Sequence, residues 1–159
     1  MADSARDTYI AGLTLLAKRE LSEAQLRQRL LRKGHTAEAV EQAVTRLKTE
    51  RALDDARVAE AIGRSEMALR GRGQRRARQR MRSVGIDART VERAVDLVYA
   101  DADPETLIDR ALAKRLRGRT TVTDERERAR LYRYLIGQGF ESDRVIAALR
   151  KLSGGRATR

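Results

Sequence analysis

One short motif occurs three times in this chain, and each copy carries a glycine at the same place. In each copy two apolar residues stand four apart, and a glycine follows four residues after the second of them. The glycines are Gly34, Gly85 and Gly139, which lie 51 and 54 residues apart. A repeat of this length is typical of tandem helical arrays, which present extended binding surfaces. The apolar residues in front of the glycines are Leu26, Leu30, Ala77, Met81, Leu131 and Leu135.

The pattern around each glycine predicts a helix, a tight turn and a second helix. Apolar residues four apart lie on one face of a helix, and a glycine just beyond it supplies the left-handed backbone of many helix C-termini. Ser22 and Gln25 form a predicted capping box before the first pair, and Thr36, Asp87 and Ser142 are the predicted N-caps of the second helices. The apolar pattern resumes six, nine, ten and thirteen residues after each glycine, at Val40, Ala43, Val44, Leu47, Val91, Ala94, Val95, Val98, Val145, Ala148, Leu149 and Leu152.

A further helix is predicted in front of each helix pair. The second of these begins at Asp54 and Asp55, whose carboxylates suit a helix start. The third has Asp103 as its N-cap and Pro104 at its first helical position. The predicted buried stripes of the three helices are Ile10, Leu13, Leu16 and Ala17, then Val58, Ala59, Ile62 and Leu69, then Leu107, Ile108, Ala111 and Leu112.

The sequence therefore predicts an all-α chain of nine helices in a tandem array of three three-helix repeats, elongated and curved. The repeats are expected at 1–51, 52–101 and 102–152, followed by a disordered basic tail at 153–159. Aromatic residues make up only 3% of the chain, so each repeat is expected to bury a thin aliphatic core and to rely partly on its neighbours.

Composition excludes several classes of protein. No apolar run approaches the roughly 18 residues of a membrane span, and the first residues lack the apolar region of a signal peptide. The chain has no cysteine, so it has neither disulfides nor thiolate metal sites. We expect a cytoplasmic chain with no membrane partner and no cofactor.

No constellation of residues points to catalysis or metal binding. His35 is the only histidine, and it occupies the packing position that follows the first repeated glycine. Asp54 and Asp55 are interpreted as structural helix-start residues. The segment 71–73 resembles no phosphate-binding loop, because no Gly-Lys-Ser/Thr follows it and no strand precedes it. The sequence thus predicts no catalytic residue, no metal ligand and no enzyme.

The strongest functional signal is positive charge. The formal net charge of +12 predicts an anionic partner, and no acidic residue stands between Glu66 and Asp87. Helical geometry is expected to direct Arg75, Arg78 and Arg82 outward, with free backbone N–H groups at the helix start. The alternative is a solvated charged face. We call the seven arginines of this region the arginine segment: Arg70, Arg72, Arg75, Arg76, Arg78, Arg80 and Arg82.

Three stretches carry a more specific signal. Positions 15–34 read Leu-Leu-Ala-x-Arg-Glu-x-Ser-x2-Gln-Leu-x3-Leu-x2-Lys-Gly, and positions 53–59 read Leu-Asp-Asp-Ala-Arg-x-Ala. Positions 135–146 read Leu-x3-Gly-Phe-x4-Val-Ile. Together they resemble the RecX family of regulatory proteins over about residues 8–152. Val58, Ala77 and His35 depart from the family pattern, in which an aromatic residue, an isoleucine and a hydrophobic residue are usual.

The resemblance implies a non-enzymatic modulator of the RecA recombinase, built as an array of three-helix repeats. Such a protein would bind RecA filaments on single-stranded DNA along the filament groove. It would inhibit or modulate the ATPase, strand exchange and repressor cleavage of RecA, and thereby DNA recombination, DNA repair and the SOS response. We expect a monomer that meets DNA directly or through the filament. A stand-alone, non-specific nucleic-acid-binding protein stays open as the alternative, because an acidic protein groove and a phosphate backbone suit the same arginines.

Overall fold

The computed structural model describes residues 4–153. Over this range it contains nine α-helices, one π-helical turn and no β-strand, which confirms the all-α prediction. Ser153 belongs to the last helix rather than to a tail, and the other tail positions lie outside the described residues. The helices are α1 (Ala5–Lys18), α2 (Glu23–Arg32), α3 (Ala37–Thr49), α4 (Asp55–Arg64), the π-helical turn (Ser65–Leu69), α5 (Gln74–Ser83), α6 (Ala88–Val98), α7 (Pro104–Leu116), α8 (Glu125–Gly137) and α9 (Ser142–Ser153).

The three repeated glycines form the same helix-ending turn. Gly34, Gly85 and Gly139 have φ angles of 94°, 83° and 93°, in the left-handed region that glycine adopts without strain. In each copy the residue after the glycine donates its N–H to the carbonyl five residues earlier, at 3.3 Å. This bond is the long hydrogen bond of a Schellman motif. The turns are therefore as predicted.

Most of the predicted N-caps are confirmed. The Ser22 hydroxyl accepts a hydrogen bond from the Gln25 N–H, and the Gln25 side chain accepts one from the Ser22 N–H, both at 3.1 Å. Thr36, Asp87 and Asp103 each accept a hydrogen bond from the N–H three residues later. These bonds satisfy helix N–H groups that have no partner within the helix.

The predicted cap at Ser142 is wrong. Ser142 is the first residue of α9, and its hydroxyl shares a hydrogen bond of 2.9 Å with the hydroxyl of Tyr132. Its position is one residue later than that of Thr36 and Asp87 in their repeats, which places the hydroxyl inside the helix.

The predicted buried stripe of α1 is only partly right, because Leu16 alone of its four residues packs against the core. Ile10 and Leu13 are exposed, whereas Thr8 and Gly12 are buried. A Cβ atom at Gly12 would stand only 2.9 Å from Cδ1 of Leu47. Gly12 therefore allows α1 to lie close against α3, and a count of apolar residues cannot detect such a contact.

The π-helical turn explains why Leu69 does not face the core. Val58 and Ala59 are buried as predicted, but Leu69 is 81% exposed. A π-helical turn holds more residues than an α-helical turn, so the register shifts between α4 and Leu69. The buried residue in this turn is Glu66.

The described residues form two compact units, and the division passes through α4, α5 and α6. The first unit holds the residues up to Ala61 together with Arg80–Ala94, and the second holds Ile62–Gln79 together with the residues from Val95 onward. The repeat boundaries near positions 51 and 101 stay a prediction.

Each unit has its own apolar core. In the first unit α1 packs mainly on α3, and in the second α9 packs on α7 and α8. The core of the first unit contains Leu21, Leu26, Leu30, Val40, Val44, Leu47 and Leu53. The core of the second contains Ile108, Ala111, Leu112, Leu116, Val122, Leu131, Leu135, Phe140, Val145, Ala148 and Leu149.

Candidate functional site: the arginine segment

The arginines of the segment differ in exposure. Two of them precede α5 and the other five lie on it. Arg75, Arg80 and Arg82 are exposed. Arg78 is half-buried and donates a hydrogen bond of 3.3 Å to the side chain of Gln74. Arg78 is therefore less exposed than Arg75 and Arg82, with which it is predicted to project outward.

The exposed arginines of α5 also differ in their partners. Arg82 lies 3.9 Å from the carboxylate of Glu92, a loose surface ion pair that contributes little to stability. The side chains of Arg75 and Arg80 form no hydrogen bond or ion pair with any residue in 4–153. These two arginines are the most available to an external anion.

The first two arginines of the segment are engaged by the buried carboxylate of Glu66. Glu66 is 2% exposed, and its oxygens lie 2.9 Å from Nη1 of Arg72 and 3.4 Å from Nη1 of Arg70. The hydroxyl of Tyr99 donates a hydrogen bond of 2.9 Å to the backbone carbonyl of Arg72. A buried carboxylate needs such partners, because an uncompensated charge is costly away from water. Arg72 and Arg70 therefore help to fix the loop that leads into α5.

Tyr99 stays a hydrogen-bond donor at physiological pH. Burial, followed by the negative charge of Glu66, raises the pKa of Tyr99 to about 12. Because the ionised phenol is disfavoured there, Tyr99 keeps the proton that it donates to the Arg72 carbonyl to a higher pH than an ordinary tyrosine does.

The start of α5 is docked on the turn that follows α8. The Gly73 N–H donates to the carbonyl of Gln138 at 2.9 Å, and the Arg75 N–H donates to the carbonyl of Gly139 at 3.2 Å. A Cβ atom at Gly73 would stand 2.7 Å from the carbonyl carbon of Gly139 and 2.8 Å from the Phe140 ring. The positive end of α5 thus meets the negative end of α8. The prediction of free N–H groups at this helix start is wrong for these two groups.

Asp54 and Asp55 bind backbone N–H groups at two different helix starts. Asp54 accepts a hydrogen bond of 3.2 Å from the Arg57 N–H in α4, and Asp55 accepts one of 2.8 Å from the N–H of Glu23, the first residue of α2. Burial raises the pKa of Asp55. These contacts are those of structural residues.

His35 lies beside a buried hydroxyl. Its ring is half-buried, and Nδ1 lies 3.0 Å from Oγ1 of Thr8. Within residues 4–153, no three potential metal-ligating residues come together. No helix in the described part of the chain is long and apolar enough to cross a membrane.

Sequence reasoning missed the roles of Glu66 and Tyr99. Glu66 stands four residues before Arg70, a spacing that favours ion pairs on helices. The sequence therefore contained a signal for that pair. Nothing in the sequence pairs Tyr99 with Arg72, which lies 27 residues earlier.

Fold and surface together define a basic all-α protein built from helix–turn–helix repeats. Residues 9–47 match the family model described as the first three-helix domain of RecX. Regulatory protein RecX of Halorhodospira halophila is 36% identical over 139 residues, which cover 87% of this chain and 83% of that protein. Regulatory protein RecX of Thermotoga maritima is 34% identical, with 91% of this chain and 83% of the relative covered. The chain belongs to the RecX family of regulatory proteins.

The fold is similar to solved RecX structures. The crystal structure of RecX from Lactobacillus salivarius matches with a TM-score of 0.79 at 19% identity, covering 96% of this chain and 98% of that one. A second crystal structure, described as regulatory protein RecX, matches with a TM-score of 0.76 at 24% identity, covering 94% and 74% of the two chains. At these identities the likeness concerns the fold.

Proposed function

We propose that this chain binds RecA filaments assembled on single-stranded DNA and regulates RecA. The observation that carries the proposal is membership of the RecX family over most of the chain. The regulated activities would be the ATPase, strand exchange and repressor cleavage of RecA, with inhibition as the expected direction. We further propose that it acts as a cytoplasmic monomer without a cofactor or an enzymatic activity of its own.

The arginine segment is the proposed contact with the filament. Arg75 and Arg80 are exposed and without partners in the described chain, so they can meet an acidic protein groove or a phosphate at little desolvation cost. Arg70 and Arg72 would act mainly by fixing the preceding loop, because both contact Glu66. A regulator anchored in this way across neighbouring protomers would hinder the subunit movements that accompany ATP turnover.

Sequence-specific DNA binding has less support. The second helix of the first pair exposes Glu38 and Glu41, and that of the second pair exposes Asp96. Carboxylates on these faces would repel phosphates in a helix-turn-helix docking mode. Non-specific affinity for nucleic acid remains the alternative, since the net charge of +12 alone would produce it.

The test is co-sedimentation with RecA–single-stranded DNA filaments and with bare single-stranded DNA at matched salt, together with the ATPase rate of RecA. We expect stronger retention on filaments than on bare DNA, and sub-stoichiometric inhibition of RecA. Equal retention on both substrates with no effect on RecA at excess protein would favour the stand-alone nucleic-acid binder. ATP hydrolysis by the purified protein would contradict a non-enzymatic regulator.

A further inference from the structure

Helices α8 and α9 line a groove that shares no residue with the arginine segment. Its volume is about 550 Å³, within the range of ligand sites in proteins. Side chains four apart on each helix face the same groove, as helical geometry requires. The residues that line it include Glu125, Arg128, Tyr132, Arg133, Ile146 and Arg150.

The groove is cationic. Arg133 and Arg150 are exposed, and neither forms an ion pair or a side-chain hydrogen bond within the described residues. Arg128 reaches Glu125 only loosely, at 3.6 Å, and Glu125 is itself 86% exposed at the rim. Three guanidinium groups thus face one solvated carboxylate, which favours an anionic ligand.

One cation of the groove has an unused donor. The Nε atom of Arg128 is buried and has no hydrogen-bond partner within residues 4–153, while Nη2 donates at 3.4 Å to the carbonyl of Val122. Most buried polar atoms in proteins are paired, and an unpaired N–H costs free energy. The guanidinium of Arg128 therefore keeps a donor that the described residues leave unused.

The groove also offers a flat aromatic surface. Tyr132 is half-buried, and its hydroxyl is tied to the Ser142 hydroxyl at 2.9 Å, so the ring is held in place. Ile146, which is 39% exposed, and the buried Leu149 line the same groove. A fixed ring beside aliphatic and guanidinium groups is the combination that stacks an unpaired base and holds its phosphates.

We propose that this groove is a binding site for single-stranded nucleic acid. One base stacks on Tyr132 against Ile146, and the flanking phosphates lie on Arg133 and Arg150. A duplex fits less well, because its bases are stacked on one another and cannot reach the ring. The site works without RecA, so it is independent of the filament contact proposed above.

The test is fluorescence-anisotropy titration of a fluorescein-labelled oligo(dT) of about 20 nucleotides, without RecA, over a range of salt concentrations. We expect Tyr132→Leu to weaken binding about tenfold, because a stacked base contributes about 1–3 kcal/mol. Tyr132→Phe, which retains the ring, should bind almost as the unaltered protein does. Arg133→Glu combined with Arg150→Glu should weaken binding and flatten its salt dependence.

The matched control is Arg110→Glu combined with Lys114→Glu. Both residues are exposed on α7 and outside the groove, and the pair changes the net charge equally. We expect a much smaller loss of affinity from the control pair. Circular dichroism verifies folding. If Tyr132→Leu unfolds the chain, the comparison of the groove pair with the control pair tests the proposal.

Four results would overturn the proposal. One is that the unaltered protein fails to bind the oligonucleotide. A second is that the groove variants bind it as tightly as the unaltered protein does. A third is that the groove and control pairs lose affinity equally while Tyr132→Leu has no effect, because the oligonucleotide would then be attracted by the diffuse charge of the surface. A fourth is that poly-glutamate binds as tightly as the oligonucleotide and no longer binds Tyr132→Leu, because the groove would then suit an acidic protein surface.

Discussion

The turn at Gly34 and the turn at Gly139 have the same backbone and different surroundings. Their φ angles are 94° and 93°, and both are closed by the same long hydrogen bond. At Gly34 an added Cβ atom would meet no atom of the described residues within 4 Å, whereas at Gly139 it would collide with the backbone of Arg76 and lie 3.0 Å from its Cα atom. A repeated motif thus specifies how each helix ends without specifying what that turn supports.

The difference between the turns matters for the candidate interface. The carbonyls of Gln138 and Gly139 accept hydrogen bonds from the N–H groups of Gly73 and Arg75 at the start of α5. The third turn therefore positions the helix that carries Arg75. The turn at Gly34 joins α2 to α3, and within residues 4–153 its carbonyls accept no backbone N–H from another segment. The second turn is intermediate in what surrounds its glycine, because a Cβ atom at Gly85 would collide with a side chain, the methyl group of Ala24, rather than with backbone.

The largest effect is expected for Gly139→Ala. The substitution adds a Cβ atom at positive φ, which costs about 1–2 kcal/mol, and it forces the backbone around Arg76 to move, which adds about 1–3 kcal/mol. Thermal unfolding followed by circular dichroism should show a total loss of about 3 kcal/mol or more. A loss no larger than that of Gly34→Ala would show that the contact with α5 is dispensable.

A smaller loss is expected for Glu66→Gln. Removing one charge of a buried ion pair leaves its partner uncompensated, and because Arg70 and Arg72 are partly solvated we expect about 2 kcal/mol from urea unfolding. Glu105→Gln is the control. Glu105 also forms an ion pair, with Lys151 at 3.2 Å, but both side chains are exposed, so its loss should be close to zero. Equal losses would mean that the burial of Glu66 contributes nothing.

Gly34→Ala tests the backbone part of the comparison alone. Its Cβ atom would contact none of the described residues, so the expected loss is only the cost of positive φ, about 1–2 kcal/mol. Thermal unfolding under the conditions used for Gly139→Ala measures it. An unchanged melting temperature would remove the argument that these turns require glycine.

The smallest effects concern acid stability. Hydrogen bonds from Thr90 and Thr106 lower the pKa values of Asp87 and Asp103 below the ordinary value of 3.8. These groups stabilise the fold above their unfolded pKa, and this stabilisation is lost as the pH falls through their folded pKa. Replacing both by Asn should therefore flatten the decline of the melting temperature below about pH 4.

Asp55 should respond in the opposite direction. Burial raises its pKa, so its contribution is present below its unfolded pKa and is lost as the pH rises through the folded value. Asp55→Asn should make the acid-induced decline of the melting temperature steeper. The same slope in the Asp55 and the Asp87/Asp103 variants would contradict the assigned signs.

The helices and turns were largely predictable because they depend on local rules. Gly34, Gly85 and Gly139 meet a backbone requirement that a spacing pattern reveals, and Thr36 and Asp87 cap helices through neighbours three residues away. The buried face of α1 was not predictable in this way. Gly12 faces Leu47 because its small size allows a close approach of the two helices. A pattern of apolar residues does not show where a small residue lets two helices come close.

The candidate interface was predictable only in outline. Charge identified the arginine segment, but exposure within it depends on residues distant in sequence, such as Gly139 below the start of α5. The π-helical turn shifts the register that would have buried Leu69 and brings Glu66 inside instead. The α8–α9 groove was not predicted from the sequence, because Tyr132 and Arg150 line one groove only when the two helices pack.

The central proposal is that the exposed arginines of α5 bind the filament. The most direct measurement is co-sedimentation of Arg75→Glu/Arg80→Glu with RecA–single-stranded DNA filaments at low salt, compared with Arg110→Glu/Lys114→Glu. Exposed charges contribute little to stability but strongly to the attraction of an anionic partner. We expect both variants to keep the helical content and melting temperature of the unaltered protein, and only the α5 variant to lose filament binding and inhibition of RecA. A folded α5 variant that still binds and inhibits filaments normally would contradict the proposal and show that the arginine segment is a solvated face.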